Sequence, residues 1–273
     1  MSAPAASPAA AESGRIRLLL AALCCAKGDP AANLAAHEKI LREARDAGCQ
    51  LAVFPEMSLS GSANPAEHPG RLLGLDSAPV LAMAEFTRRH RVAAVFGLAE
   101  RGADGHPFIS QVLACDGQVA GVYRKRHLGD DEKAFTPGTE PALFRLGEIR
   151  LGIAICAEAG VDYPFDEPAA AGAGLILFCA APGLYGRRTD EASWRSGHAW
   201  WESCGLADAR RHAARTRAWV AMTTQAGSTA DEDFPGIAAL IDPAGQVVTR
   251  LPDWRPGTLI VDVPLTGQPG RAG

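Results

Sequence analysis

The chain has 273 residues, 47% of them hydrophobic, and a formal net charge of −4. That apolar content suffices for one large core or two modest ones, and the mild acidity carries no electrostatic footprint for nucleic acid or an anionic membrane surface. Seven cysteines, an odd number set mostly in apolar runs, read as buried thiols in a reducing cytosol and not as a disulfide framework.

Residues 1–14 are rich in Ala, Pro and Ser and predict a disordered tail. Leu18-Leu19-Leu20-Ala21-Ala22-Leu23 has the look of a signal-peptide core, yet no basic cluster precedes it. The reading adopted is a first buried strand over 16–25 and a cytoplasmic protein. The vicinal Cys24-Cys25 reads as core filling. A helix follows over 32–47, with Leu34, Ile40, Leu41 and Ala44 on one stripe and Gly48 as its stop. A short buried strand over 51–54 ends at Pro55-Glu56; a helix over 79–91 and a strand over 92–99 come next. Strands over 110–115 and 118–123 flank Asp116-Gly117, a strong hairpin signal.

Farther on, 149–155 and 175–180 read as buried strands with an Ala-rich helix over 166–172 between them. The polar stretch 183–204 contains Tyr185, Arg187, Arg188, Trp194, Arg195, His198, Trp200 and Trp201, and reads as a surface loop serving as a substrate cover or a subunit contact. A helix over 204–218, strands over 219–224, 237–241 and 246–249, and a closing strand over 258–263 complete the chain. The βα alternation with interspersed hairpins predicts a single α/β layered domain over 15–265, a mixed sheet covered by helices, followed by a short tail over 266–273. No run is long enough for a membrane span. The seven histidines show no ligand spacing and read mostly as surface residues, and no Cys/His cluster suggests a metal.

Three strand ends carry chemistry. Cys156 ends the apolar run Leu151-Gly152-Ile153-Ala154-Ile155, where a sharp turn would expose its sulfur beside a backbone N–H. Glu56 follows Pro55 at the end of a fully apolar strand, at the strand-end position where α/β sheets bind ligands. Lys125 lies in Arg124-Lys125-Arg126-His127 after another strand. Taken singly, each has a plain alternative: an inert core thiol, a surface carboxylate, a solvated basic run.

Taken together and in order, Phe54-Pro55-Glu56, Tyr123-Arg124-Lys125 and Ile155-Cys156-Ala157-Glu158 resemble the Glu–Lys–Cys signature of the carbon–nitrogen hydrolase (nitrilase) superfamily. Asn33-Leu34 with the helix ending at Ala47-Gly48, the loop Phe135-Thr136-Pro137-Gly138, and Phe234-Pro235-Gly236 with Ile241-Asp242-Pro243-Ala244-Gly245 extend the resemblance over 15–263.

The resemblance implies an αββα sandwich, a cofactor-free and metal-free thiol amidohydrolase, a small-molecule amide or carbamoyl substrate, and a homodimer or larger even-numbered oligomer. It implies Cys156 as nucleophile, Glu56 as general base, Lys125 with the Ala157 N–H as oxyanion donors, and Glu132 as the second glutamate that orients Lys125. Glu158, Tyr185 and Trp194 are candidate substrate contacts. Ala157 stands where true nitrilases carry Trp, which argues against nitrile hydrolysis. Thr224-Gln225 replaces the family's Ala-Asn. A catalytically silent ligand-binding member is the rival from another class, and the intact Glu56, Lys125 and Cys156 argue against it.

Overall fold

The computed structural model describes residues 14–183, 190–252 and 255–265. In chain order the elements are β1 (Arg15–Ala22), α1 (Pro30–Asp46), β2 (Leu51–Val53), α2 (Ala78–His90), β3 (Ala93–Arg101), β4 (Pro107–Cys115), β5 (Gln118–Arg124), β6 (Leu143–Leu146) and β7 (Ile149–Ile155). They continue with α3 (Tyr163–Ala170), β8 (Leu175–Ala180), α4 (Glu191–Trp201), α5 (Ala207–Thr216), β9 (Trp219–Thr224), β10 (Ala226–Ser228), β11 (Asp233–Pro235), β12 (Ala238–Ile241), β13 (Val247–Arg250) and β14 (Gly257–Pro264).

Among the described residues the strands form two six-stranded sheets, ordered β14-β1-β2-β3-β4-β5 and β13-β12-β9-β8-β7-β6, and a β10-β11 ribbon. Each sheet is mixed: β1-β2-β3 and β7-β8-β9 pair in parallel, and hairpin neighbours pair antiparallel. Period-2 side-chain alternation sorts the apolar residues into layers. Leu18 and Leu20 of β1, Ile153 and Ile155 of β7, and Leu175 and Leu177 of β8 meet in one cluster between the sheets. Leu19 and Ala21 face outward with Ile40, Leu41, Val80 and Met83 of α1 and α2. Ala154, Ile176 and Phe178 face the opposite way, with Phe165, Ala209 and Ala213 of α3 and α5. The order of layers is therefore helix, sheet, sheet, helix. The central strands are apolar on both faces because both faces are covered.

Local chemistry fixes the boundaries. The Asp29 side chain accepts from the Ala32 N–H at 3.0 Å and Pro30 occupies the first turn, so α1 begins before the expected residue 32. Arg91, left-handed at φ 56°, ends α2. Asp116 and Gly117, at φ 51° and 86°, make the β4-β5 turn with both central residues left-handed, as the hairpin signal requires.

Several expectations are corrected. The stretch read as a polar loop contains the helix α4, which runs through a π-helical turn, Glu202–Leu206, into α5. At that turn a Cβ on Gly205 would overlap the Trp201 ring, so glycine lets the indole lie flat on the helix. The helix expected over 166–172 starts at Tyr163 because Pro164 is tolerated in a first turn. Histidines 37, 90 and 212 are buried, not superficial. Of the vicinal cysteines, Cys25 is buried and Cys24 exposed. Gly14, assigned to the tail, accepts from the Leu265 N–H at 2.6 Å and so extends the β1-β14 ladder. The tails over 1–13 and 266–273 lie outside the described residues. Among the described residues no helix is long and apolar enough to cross a membrane.

Candidate active site

Glu56, Lys125 and Cys156 each follow a strand whose end is held by bonds to its neighbours. After β2, the Phe54 N–H donates to Val95 O at 2.8 Å and the Leu59 N–H to Gly97 O at 2.8 Å. The Gln111 amide donates to Phe54 O at 3.1 Å and the Gln225 amide to Glu56 O at 2.9 Å. Gly97 leaves room for this turn: a Cβ there would overlap Met57 N and the Gln111 side chain, and would lie 2.7 Å from Pro55 O. After β5, the Lys125 N–H donates to Ile109 O and its carbonyl accepts from the Gly138 N–H, both at 2.8 Å. A Cβ on Gly138 would overlap the Arg124 carbonyl, which explains the glycine in Phe135-Thr136-Pro137-Gly138. After β7, Cys156 opens a 3-10 turn, Cys156–Gly160, with φ 42°. A left-handed cysteine is strained and persists only where its surroundings hold it.

The side chains converge at the seam of the two sheets. Lys125 Nζ lies 2.8 Å from Glu56 Oε1 and 2.5 Å from Glu132 Oε1. Lys125 and Glu56 are buried at 0% and 1% side-chain exposure, so the ammonium is a desolvated bridge between two carboxylates. The other oxygen of Glu56 accepts from the Ala181 N–H at 2.8 Å, and the other oxygen of Glu132 from the Gly129 N–H at 2.6 Å. The same Ala181 N–H faces the sulfur of half-buried Cys156. Ala157 is second in its turn, so its N–H lies ahead of the first intrahelical bond.

The electrostatics follow from burial. Desolvation raises the Glu56 carboxyl above the usual range; Lys125 opposes that and Glu132 adds to it. Burial and then Glu56 push the Cys156 thiol well up, against the pull of Lys125. Burial pulls the Lys125 ammonium down, but Glu56, Cys156 and Glu132 together outweigh it, and its pKa lies above the ordinary lysine value. Burial thus favours the protonated form of the Cys156 thiol, and the charges around Lys125 favour its ammonium form.

Glu158 does not fit its expected role as a substrate contact. It is fully buried, and its oxygens accept from Tyr123 Oη at 2.7 Å and from the N–H groups of Arg126, His127 and Ile155 at 2.8, 3.3 and 2.8 Å. Trp194 sits half-buried on α4 against the Phe165 and Phe178 cluster, 4.9 Å from the His198 ring. Tyr185 lies outside the described residues. Sequence reading missed Ala181, Gly97, Gln111 and Gly129, and marked Gln225 only as a departure from the family's Ala-Asn. Ala181 and Gly129 act through backbone N–H groups, which no residue type announces. Among the described residues no group of three or more His, Cys, Asp or Glu is placed to hold a metal ion.

Two mixed sheets between helix layers, with an acid, a lysine and a cysteine brought together from the ends of β2, β5 and β7, are an arrangement of the carbon–nitrogen hydrolase, nitrilase-like kind. The chain belongs to the carbon–nitrogen hydrolase family, whose model matches residues 19–267. An amidase of Nesterenkonia sp. AN1, described as carrying acrylamide added at its active-site cysteine, shares the fold: TM-score 0.76 at 24% identity, covering 91% of this chain and 93% of that one. A hydrolase of Mycobacterium tuberculosis is 27% identical over 253 residues, 86% of this chain and 85% of that protein. The glutamine-dependent NAD(+) synthetase of Thermotoga maritima is 33% identical over 151 residues, 53% of this chain. The match spans 26% of that synthetase's length.

Proposed function

We propose that the protein is a thiol amidohydrolase that cleaves the C–N bond of a small amide or carbamoyl compound. The observation that carries the reading is the buried Lys125 ammonium bridging Glu56 and Glu132 beside a left-handed Cys156. Glu56 takes the proton from Cys156 Sγ as sulfur attacks the carbonyl carbon, and the C=O electron pair moves onto oxygen. Lys125 and the Ala157 N–H stabilise that oxyanion. Its collapse breaks the C–N bond, and the amine leaves with the proton held by Glu56. Water then attacks the thioester with Glu56 again accepting a proton, and C–S cleavage frees the acid and restores the thiol. A thiol pushed up by burial suits this order, because its proton leaves only as the S–C bond forms.

The test is ammonia release from amides, ureido acids and nitriles by the parent, Cys156→Ala and Glu56→Gln proteins. Amide turnover surviving in Cys156→Ala would falsify the reading. We propose further that the chain works as an even-numbered homo-oligomer. Trp200 supports it: the side chain lies on α4 at 42% exposure, whereas Trp201 beside it is buried. Light scattering that finds a monomer at micromolar concentration rejects this, and Trp200→Glu is expected to weaken the assembly.

A further inference from the structure

Cys156 and Lys125 come from different sheets, following β7 and β5. One buried carboxylate ties the two segments together. Oε2 of Glu158 accepts from the N–H of Ile155, the residue before the nucleophile, at 2.8 Å. Oε1 accepts from Tyr123 Oη at 2.7 Å and from the N–H groups of Arg126 and His127 at 2.8 and 3.3 Å, residues that straddle Lys125. The far end of the nucleophile turn is held separately. His212 Nε2 donates to Ala159 O at 2.8 Å, its ring stacks on Phe165 at 3.8 Å, and Arg215 donates to its Nδ1 at 2.9 Å.

We infer that Glu158 is a positioning residue for the amide reaction, a carboxylate brace that sets Cys156 against Lys125 and holds the nucleophile in its left-handed conformation. The inference rests on the roles given to Cys156 and Lys125 above. Both oxygens are taken by protein donors, so the side chain does not touch substrate. The residue type is also specified. All four partners donate, and an ionised carboxylate is acceptor-only, with about four lone-pair sites. A glutamine would turn an NH2 group toward either the Ile155 N–H or the donors around Lys125. That donor–donor conflict falls at one of the two segments the brace joins. The backbone strain at Cys156, φ 42°, needs such a restraint. Held loosely, the sulfur drifts from the carbonyl it must attack, and displacements near 1 Å cost roughly 100-fold in rate.

The experiment compares the full-length parent with Glu158→Gln and Tyr123→Phe. It reads iodoacetamide labelling of Cys156, with exposed Cys24 as internal reference, and kcat and KM on the best amide found. In Glu158→Gln, Cys156 labelling should slow at least ~10-fold relative to Cys24, and kcat should fall roughly 100-fold with KM little moved. Tyr123→Phe, which removes one of the four donors, should lower kcat in the same direction and by less than Glu158→Gln does. A folded Glu158→Gln protein that labels and turns over like the parent overturns the brace, as does a loss confined to melting temperature. Where Glu158→Gln fails to fold, an unchanged kcat and labelling rate in Tyr123→Phe overturns it. A parent that neither labels at Cys156 nor cleaves amides rejects the amidase reading and this inference with it. A reactive, amide-cleaving parent with an unaffected Gln variant rejects the brace alone.

Discussion

Lys125→Met removes the ammonium and nearly preserves the volume of the side chain. Glu56 and Glu132 then face the same buried space without the cation that lay 2.8 and 2.5 Å from them. Removing one partner of a buried, hydrogen-bonded charge set costs about 3–5 kcal/mol, because the remaining charge is left uncompensated. The exposures of 0%, 1% and 12% for Lys125, Glu56 and Glu132 leave little water to replace it. Burial already holds the Glu56 carboxyl above its usual range, and Lys125 is the strongest force opposing that. In the variant Glu56 rises further and takes up a proton. A carboxyl whose folded pKa exceeds its unfolded value binds the proton more tightly in the fold, so stability falls as pH rises through the folded pKa. In the parent Lys125 opposes that rise, and its own pKa is shifted upward, so its contribution is lost only in strongly alkaline solution. Urea denaturation of both proteins at pH 5, 6.5 and 8 should show the Met variant's deficit largest at pH 8 and shrinking toward pH 5. Turnover should fall ~10²–10³-fold from loss of the oxyanion cation, and further at neutral pH through protonation of the base. A Met variant as stable as the parent at pH 8, or a deficit that does not change with pH, would refute the electrostatic argument.

Other expected outcomes are independent of that one. Cys156→Ala and Cys156→Gly should both be inactive and folded, with Gly the more stable by about 1 kcal/mol, since φ 42° penalises any Cβ; calorimetry ranking Ala at or above Gly would contradict the strain. Gly97→Ala should force the Pro55-Glu56-Met57 turn to shift and lower kcat roughly 100-fold while the protein still folds, and unchanged kinetics would show that the glycine does not set Glu56. His37 is held neutral by burial, with its pKa lowered to about 4. Its contribution is fully present above the unfolded pKa near 6.5 and is lost as pH falls toward 4, about 2 kcal/mol between pH 7 and 5. The pH dependence of urea stability should therefore flatten in His37→Asn, and an equally steep loss in that variant would assign the acid sensitivity elsewhere.

Much of the fold was legible because its strands repeat apolar residues on both faces. The runs 149–155, 175–180 and 219–224 coincide with β7, β8 and β9. The helix α4 was hidden because its buried residues, Gly197 and Trp201, are too few to make an apolar stripe among Arg, Ser and His. Edge strand β6 and the β10-β11 ribbon were hidden because segments of four and three residues give periodicity too little length.

At the site, the sequence by itself singled out three side chains suited to the proposed chemistry. Glu56, Lys125 and Cys156 are ionisable or nucleophilic residues where apolar strands stop, and that contrast is local in the chain. What they meet was decided by tertiary structure alone. The Ala181 N–H reaches Glu56 across 125 residues and the Gln225 amide reaches the Glu56 carbonyl across 169. Glu158 reads as a polar residue beside the nucleophile and would pass for a substrate contact. Packing of the two sheets carries it between β5 and β7, where four protein donors claim its oxygens. A side chain's type is written in the sequence; whether its lone pairs face substrate or backbone depends on which distant strand lies against it.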